Sequence, residues 1–308
     1  MSTTTASTSG TAPGLAHVAA GDEPVAAALE LLRKRSFVAL TGAGMSTDSG
    51  IPDYRGPGSP SRLPMTYQDF VSGPEARQRY WARSHLGWSR MGRAVPNAGH
   101  AALASLEVSA RVRLLITQNV DGLHEAAGSQ AVCALHGRIA DVVCLGCRAQ
   151  TSRASLQSRL AELNPGWSAR HADVQVRPDG DVELSDTSGF EVPSCGCGGV
   201  LKPDVVFFGE NVPKPRVERC YAAVDGLDPA TEALLVLGSS LTVMSGFRFV
   251  RRAARRGVPV VIVNRGQTRG DDLATLKVDH GTTEFLTELS EAVVAMAATG
   301  SDNSASPQ

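Results

Sequence analysis

Four short apolar runs, at 36–41, 113–117, 233–238 and 258–264, are rich in β-branched residues and each ends in small or polar ones. Between or beside them, helical patterns fall at 24–35, 74–91, 98–107, 243–256 and 282–297. Strands too apolar to alternate, separated by helices, form a parallel sheet buried on both faces. The fold class is therefore α/β. A chain of 308 residues is long enough for one large domain or two unequal ones.

The pattern breaks twice, at 57–96 and 138–201. The first break carries Tyr80, Trp81 and Trp88 on a helix-like stretch; the second opens and closes with paired cysteines. Both read as excursions that build a smaller module on one edge of a main domain formed by 23–56, 97–137 and 202–298. The ends, 1–22 and 299–308, are small and polar and read as disordered tails. Hydrophobic residues make up 42% and charged residues 20%, ordinary values for a globular protein. No apolar run approaches the roughly 20 residues that a membrane helix needs, so no membrane partner is expected. With a net charge of −1 and no basic block, nucleic acid is not an expected partner either. The arginines at 248, 251, 252, 255 and 256 read as the solvated face of one helix.

Cys144-x-x-Cys147 and Cys195-x-Cys197 are two close pairs. In a reducing cytoplasm such pairs bind metal more readily than they form disulfides. Four thiolates fill the tetrahedral sphere of a structural zinc and leave no place for a catalytic water. A redox pair or unligated thiols are the alternatives, and the single residue between Cys195 and Cys197 weakens that half of the signal. Cys133 and Cys220 stand alone and read as buried bystanders.

At the end of the first strand, Gly42-Ala43-Gly44 lets the backbone turn tightly and present N–H groups to a pyrophosphate. Many such turns merely join a strand to a helix. The motif lacks a full GxGxxG and a Walker lysine, so the loop 49–56, with Asp53, Tyr54 and Arg55, adds to it. Thr117-Gln118-Asn119-Val120-Asp121 begins where a strand ends, the position at which open α/β sheets bind ligands. Helix capping before Leu123 is the bland reading of Asp121. Leu135-His136-Gly137 sets a histidine beside a glycine that permits close approach of a ligand.

These segments, with Lys202-Pro-Asp-Val-Val-Phe-Phe-Gly-Glu210, Gly238-Ser239-Ser240 and Val263-Asn264, occur in the order found in sirtuins, and the resemblance covers nearly the whole chain. The stretch 77–83 and the long insertion between the cysteine pairs look most like the class II branch. Tyr80 and Arg83 do not clearly match the pair with which desuccinylase-type members receive acidic acyl groups.

The resemblance implies a Rossmann-like parallel-sheet domain with an inserted zinc-binding and helical module. It also implies an NAD-dependent protein lysine deacylase. The amide oxygen of an acylated lysine attacks C1′ of the nicotinamide ribose, nicotinamide leaves, and the intermediate collapses to free lysine and O-acyl-ADP-ribose. His136 is the implied base for the attacking ribose hydroxyl, Asn119 positions water and ribose, and Asp121 holds the nicotinamide carboxamide. Gln118 lines the ribose pocket. Gly42, Ala43, Gly44, Thr47, Asp53, Tyr54 and Arg55 surround the pyrophosphate and nicotinamide end, while Gly238, Ser239, Ser240, Asn264, Arg265 and Gly266 take the adenosine half. Val205, Val206, Phe207, Phe208, Gly209 and Glu210 would receive an acyl-lysine peptide as an added strand.

ADP-ribosyl transfer to protein and lipoamidase-type activity are alternatives on the same fold. A non-catalytic NAD or ADP-ribose sensor is an alternative of another class, disfavoured because a pure binder needs no base. A dehydrogenase would require the full glycine fingerprint and its acidic partner. The expected setting is bacterial and cytoplasmic.

Overall fold

The computed structural model describes residues 22–53, 65–91, 93–171, 182, 184 and 186–302. Tyr54, Arg55 and most of both expected tails lie outside the described residues. In chain order the elements begin with α1 (Asp22–Arg33), β1 (Ser36–Thr41), α2 (Tyr67–Val71), α3 (Pro74–Met91), α4 (Ala98–Val108) and β2 (Val112–Thr117). There follow α5 (Leu123–Ala126), β3 (Val132–Ala134), β4 (Gly137–Cys144), β5 (Gln150–Ser152), α6 (Arg153–Leu163) and α7 (Trp167–Arg170). The chain continues with β6 (Leu201–Val205), α8 (Lys214–Asp225), β7 (Glu232–Leu237), α9 (Met244–Arg255), β8 (Val260–Val263), β9 (Leu276–Val278) and α10 (Thr282–Asp302).

Six parallel strands form the main sheet in the order β3-β2-β1-β7-β8-β9. The four expected strands are its centre. The edges β3 and β9, three residues each, are too short to carry a readable pattern. Strand pleating divides each central strand between two cores. Phe37 and Ala39 of β1, Leu235 of β7 and Val261 of β8 face α1, α4 and α10, with Leu32, Leu103 and Phe285. Val38, Leu40, Val236 and Ile262 face α8 and α9, with Val224, Phe249 and Val250. All these side chains are buried, and burying each of the Val, Leu, Ile and Phe side chains among them stabilises the fold by about 1.5–3 kcal/mol. Double-sided burial is the reason the strands read as continuous apolar runs.

The two excursions share one core. Trp81 and Ala82 of α3 meet Val142 and Cys144 of β4, Leu156 and Leu160 of α6, and Trp167, Phe190 and Leu201. The Trp81 indole donates to the Leu201 carbonyl at 3.2 Å. A small antiparallel sheet, β5-β4-β6, belongs to this module. Residues 202–205, expected in the main domain, therefore pair with β4 instead, because their ladder partners lie across the excursion. Helix α10 continues to Asp302, past the expected boundary at 298. Cys133 and Cys220 do not stand alone: both are buried, and their sulfurs lie 3.4 Å apart where α8 covers β3.

Candidate functional site

The chain reverses direction across the sheet at β1: β2 and β3 extend it one way, β7 to β9 the other. At such a switch point the C-terminal strand ends part and leave a crevice. Here a cleft of about 740 Å³ opens there, lined by Gly42, Ala43, Gly44, Gln118, Asn119 and Asp121 on one side of the switch. Gly238, Ser239, Ser240, Asn264, Arg265 and Gly266 line the other side, and Asp53, His136 and 205–210 also face it.

At the switch point the two phosphate-loop glycines meet a third. The Gly44 N–H donates to the Gly238 carbonyl at 2.9 Å, and Gly42 to the Leu237 carbonyl at 2.9 Å. A Cβ on Gly42 would lie 2.7 Å from the Gly238 oxygen; one on Gly238, whose φ is +59°, would lie 2.6 Å from the Gly44 carbonyl carbon. Only glycine lets these backbones touch and leaves the crevice open above them, so the cradle fits a dinucleotide. Asn264 folds the third loop by donating to the carbonyls of Arg265 (2.8 Å) and Gly266 (3.3 Å).

Beside this cradle, polar side chains hold one another. Ser46 donates to Asp121 Oδ2 at 2.7 Å and accepts from Asn119 Nδ2 at 3.0 Å. Asp121 Oδ1 accepts from the Leu123 N–H at 3.0 Å, so the capping role and the cleft role coexist in one carboxylate. Ser46 was not singled out from sequence, although it lies in the Gly-Ala-Gly-Met-Ser run. Thr47, which was, is exposed, donates to the Gly44 carbonyl at 3.2 Å and is not among the cleft-lining residues. The turn that buries Ser46 rotates its neighbour outward.

His136 follows β3 with both ring nitrogens engaged. Nδ1 lies 2.9 Å from the Gln118 carbonyl and Nε2 lies 2.7 Å from Ser245 Oγ. A carbonyl only accepts, so Nδ1 carries the proton and the neutral ring has its lone pair at Nε2. Burial lowers the His136 pKa from its ordinary value, Arg216 and Arg248 oppose the cation further, and the Gln118 carbonyl works the other way. Such a histidine is neutral and basic at neutral pH. The glycine beside it has a different role from the one its sequence suggested. A Cβ on Gly137 would sit 1.8 Å from the Asp204 carbonyl oxygen, so it is β6, not a ligand, that approaches.

Residues 206–210 leave β6 and turn rather than extend. The Val206 N–H donates to the His136 carbonyl at 2.8 Å, and the Tyr67 N–H to the Phe208 carbonyl at 2.9 Å. Phe207 packs edge-on to Phe70 with centroids 5.3 Å apart and against Tyr80 at the same separation, while Phe208 is 41% exposed at the mouth. The buried Lys202 ammonium pairs with Glu210 at 3.0 Å and lies 4.7 Å from the centre of the Phe207 ring, pinning the turn at both ends. Tyr80 lines the cleft, whereas Arg83 is spent on the Leu184 carbonyl and does not line it.

The four cysteines come together at the far edge of the small sheet, with all four sulfurs within 4.8 Å of one another. Cys144 and Cys197 are 3.6 Å apart, Cys147 and Cys195 3.8 Å. Four ligands at a Zn–S distance of about 2.3 Å require sulfurs roughly 3.8 Å apart, so the set fits tetrahedral zinc. The Cys147 N–H, donating to Cys144 Sγ at 3.5 Å, helps to hold that thiol's pKa down to about 6. The tight Cys195-Gly196-Cys197 turn closes through Gly198, whose φ is +80° and whose N–H donates to the Cys195 carbonyl at 2.8 Å.

A parallel sheet with a dinucleotide-sized crevice at its switch point, a tautomer-fixed histidine facing it and a module whose four clustered cysteines are placed to hold zinc defines a nucleotide-dependent protein of the α/β class. The Sir2 family model matches residues 42–245. The chain is 55% identical over 265 residues to NAD-dependent protein deacetylase 1 of Mycobacterium avium, covering 85% of this chain and 93% of that one. It is 56% identical over 271 residues to NAD-dependent protein deacetylase 1 of Streptomyces coelicolor, covering 86% and 88%. Among solved structures, a Sir2 complex with a p53 peptide and NAD⁺ is 33% identical, with a TM-score of 0.66 over 86% of this chain and 96% of that one. The chain belongs to the Sir2 family. No helix among the described residues is long and apolar enough to cross a membrane.

Proposed function

We infer that this protein is a bacterial NAD-dependent protein lysine deacetylase, acting in the cytoplasm, that releases nicotinamide and transfers the acyl group to ADP-ribose. The observation that carries the reading is the lone pair of His136 Nε2, held in the cleft that the glycine cradle and the 205–210 turn both line. Relatives named NAD-dependent protein deacetylase, and Sir2 structures with peptide and NAD⁺, support it.

NAD, when bound, supplies the ribose carbon that loses nicotinamide and whose ADP-ribose ends up bearing the acyl group. Gly42, Gly44 and Gly238 admit its pyrophosphate, and Ser239, Ser240 and Asn264 to Gly266 face its adenosine half. Ser46, Asn119 and Asp121 hold the nicotinamide end as one hydrogen-bonded unit. His136 takes the proton of the ribose hydroxyl at Nε2, which requires the neutral ring. Val205 to Glu210 receive an acyl-lysine peptide, with Tyr80 and Phe207 walling the acyl group and Phe208 at the entrance. Cys144, Cys147, Cys195 and Cys197 hold one structural zinc that braces the small sheet.

Incubation with NAD⁺ and peptides bearing acetyl, longer acyl or lipoyl groups on lysine, followed by mass spectrometry, tests the reading. O-acyl-ADP-ribose is expected, with acetyl-lysine accepted, and His136→Ala lowers turnover by about 10²- to 10⁴-fold. If no peptide yields acyl-ADP-ribose while ADP-ribose accumulates on protein, ADP-ribosyl transfer replaces deacylation as the function.

A further inference from the structure

Ser245 carries no motif and no expected role, yet its hydroxyl lies 2.7 Å from Nε2 of His136, the nitrogen that bears the lone pair. Its side chain is 8% exposed and lines the cleft. Because Nδ1–H is committed to the Gln118 carbonyl, the serine is the donor in this contact.

Ser245 has little freedom to leave. It sits in the first turn of α9, which Phe249, Val250 and Ala253 anchor to the sheet at 0% exposure. The next residue, Gly246, lies against Gln118 so closely that a Cβ would meet Oε1 at 2.6 Å. Gln118 in turn donates to Ser239 Oγ at 2.8 Å. One turn of helix thus governs both supports of the imidazole: Ser245 holds Nε2 directly, and Gly246 seats the residue whose carbonyl holds Nδ1.

We propose that Ser245 is a positioning residue for His136, fixing the ring plane so that Nε2 points at the reacting hydroxyl. The proposal rests on His136 being the base. When substrate is in place, its hydroxyl replaces Ser245 as donor to Nε2. As the hydroxyl oxygen bonds to the acyl carbon, the π pair of that carbon's bond to the lysine nitrogen moves onto the nitrogen and the hydroxyl proton passes to Nε2. The serine oxygen, which stays in place while its O–H turns away, steadies the resulting N–H by accepting from it. A ring aimed in advance loses less freedom on reaching the transition state.

The test compares Ser245→Ala and Ser245→Thr in the full-length zinc-loaded protein, with two readouts. Deacetylation of an acetyl-lysine peptide needs the base; exchange of labelled nicotinamide into NAD⁺, which reports on the steps before the base acts, does not. Ser245→Ala is expected to lower deacetylation kcat roughly tenfold while exchange and the KM for NAD⁺ stay within about twofold. Ser245→Thr, which keeps the hydroxyl, restores most of the turnover. Unchanged kcat in Ser245→Ala, an equal fall in both readouts, or failure of threonine to restore turnover would each overturn the proposal. A His136→Ala control that retains full turnover overturns the assignment of the base instead, so the two failures are distinguishable.

Discussion

At His136, burial and the two nearby guanidinium groups favour the neutral ring, and the neutral ring is the active one. Its pKa lies below the ordinary 6.5, so lowering the pH to 6.5 leaves most molecules competent. The acid limb of the kcat/KM profile for deacetylation is therefore expected below pH 6.5, and a limb above it would remove His136 from the role of base. Beneath the cleft, His124 is more deeply buried. Its Nε2 meets Thr41 Oγ1 at 3.0 Å, its ring lies 4.7 Å from that of His100, and burial pushes its pKa down to about 3. The unfolded chain protonates this residue below about pH 6.5 while the folded protein does not. Stability that is full above pH 6.5 is accordingly lost as pH falls toward 3, by roughly 2 kcal/mol at pH 5 from this residue alone. Urea unfolding of wild type and His124→Asn at pH 7 and pH 5 measures it: the pH-dependent loss is smaller in the variant.

Among the turns, glycines that a motif search would treat alike differ in what a side chain would meet. Gly42→Ala and Gly238→Ala drive a methyl into backbone at 2.7 Å and 2.6 Å. Each should cost about 1–3 kcal/mol in stability and raise the KM for NAD⁺ severalfold, read by thermal unfolding and steady-state kinetics. Around the cysteines, a Cβ on Gly199 would lie 2.6 Å from Cys144 Sγ, whereas one on Gly196 meets nothing within 4 Å. Metal analysis of the purified variants should therefore find zinc depleted in Gly199→Ala and near one per chain in Gly196→Ala. The spacing of the cysteines was readable from sequence. Which of the intervening glycines is indispensable was not, since that depends on the strand brought opposite.

Over the whole molecule, the zinc module and α3 share a core containing Trp81 and Trp167, and the cleft takes its wall from both the main sheet and this module. Stripping zinc with a strong chelator is expected to change tryptophan fluorescence and to weaken peptide turnover more than NAD⁺ binding. The switch-point cradle lies in the main sheet, and the 205–210 turn hangs from the small one. Equal loss of both functions would show the two parts to be one cooperative unit.

The central strands, four of the five helices packed on them (α1, α4, α9 and α10, but not α8), the paired cysteines and the order of the polar clusters were legible along the chain, because each is a local pattern of burial, turning or ligand chemistry. The short edge strands β3 and β9 were not, three residues being too few to express a period. The pairing of 202–205 with β4, the reason for Gly137, the facing thiols of Cys133 and Cys220, and the contact of Ser245 with His136 all join residues distant in sequence. Such contacts come from packing α8, α9 and β6 against β3, β4 and the loops after β2 and β3, and no local propensity encodes which side chain a packed element will set beside a base.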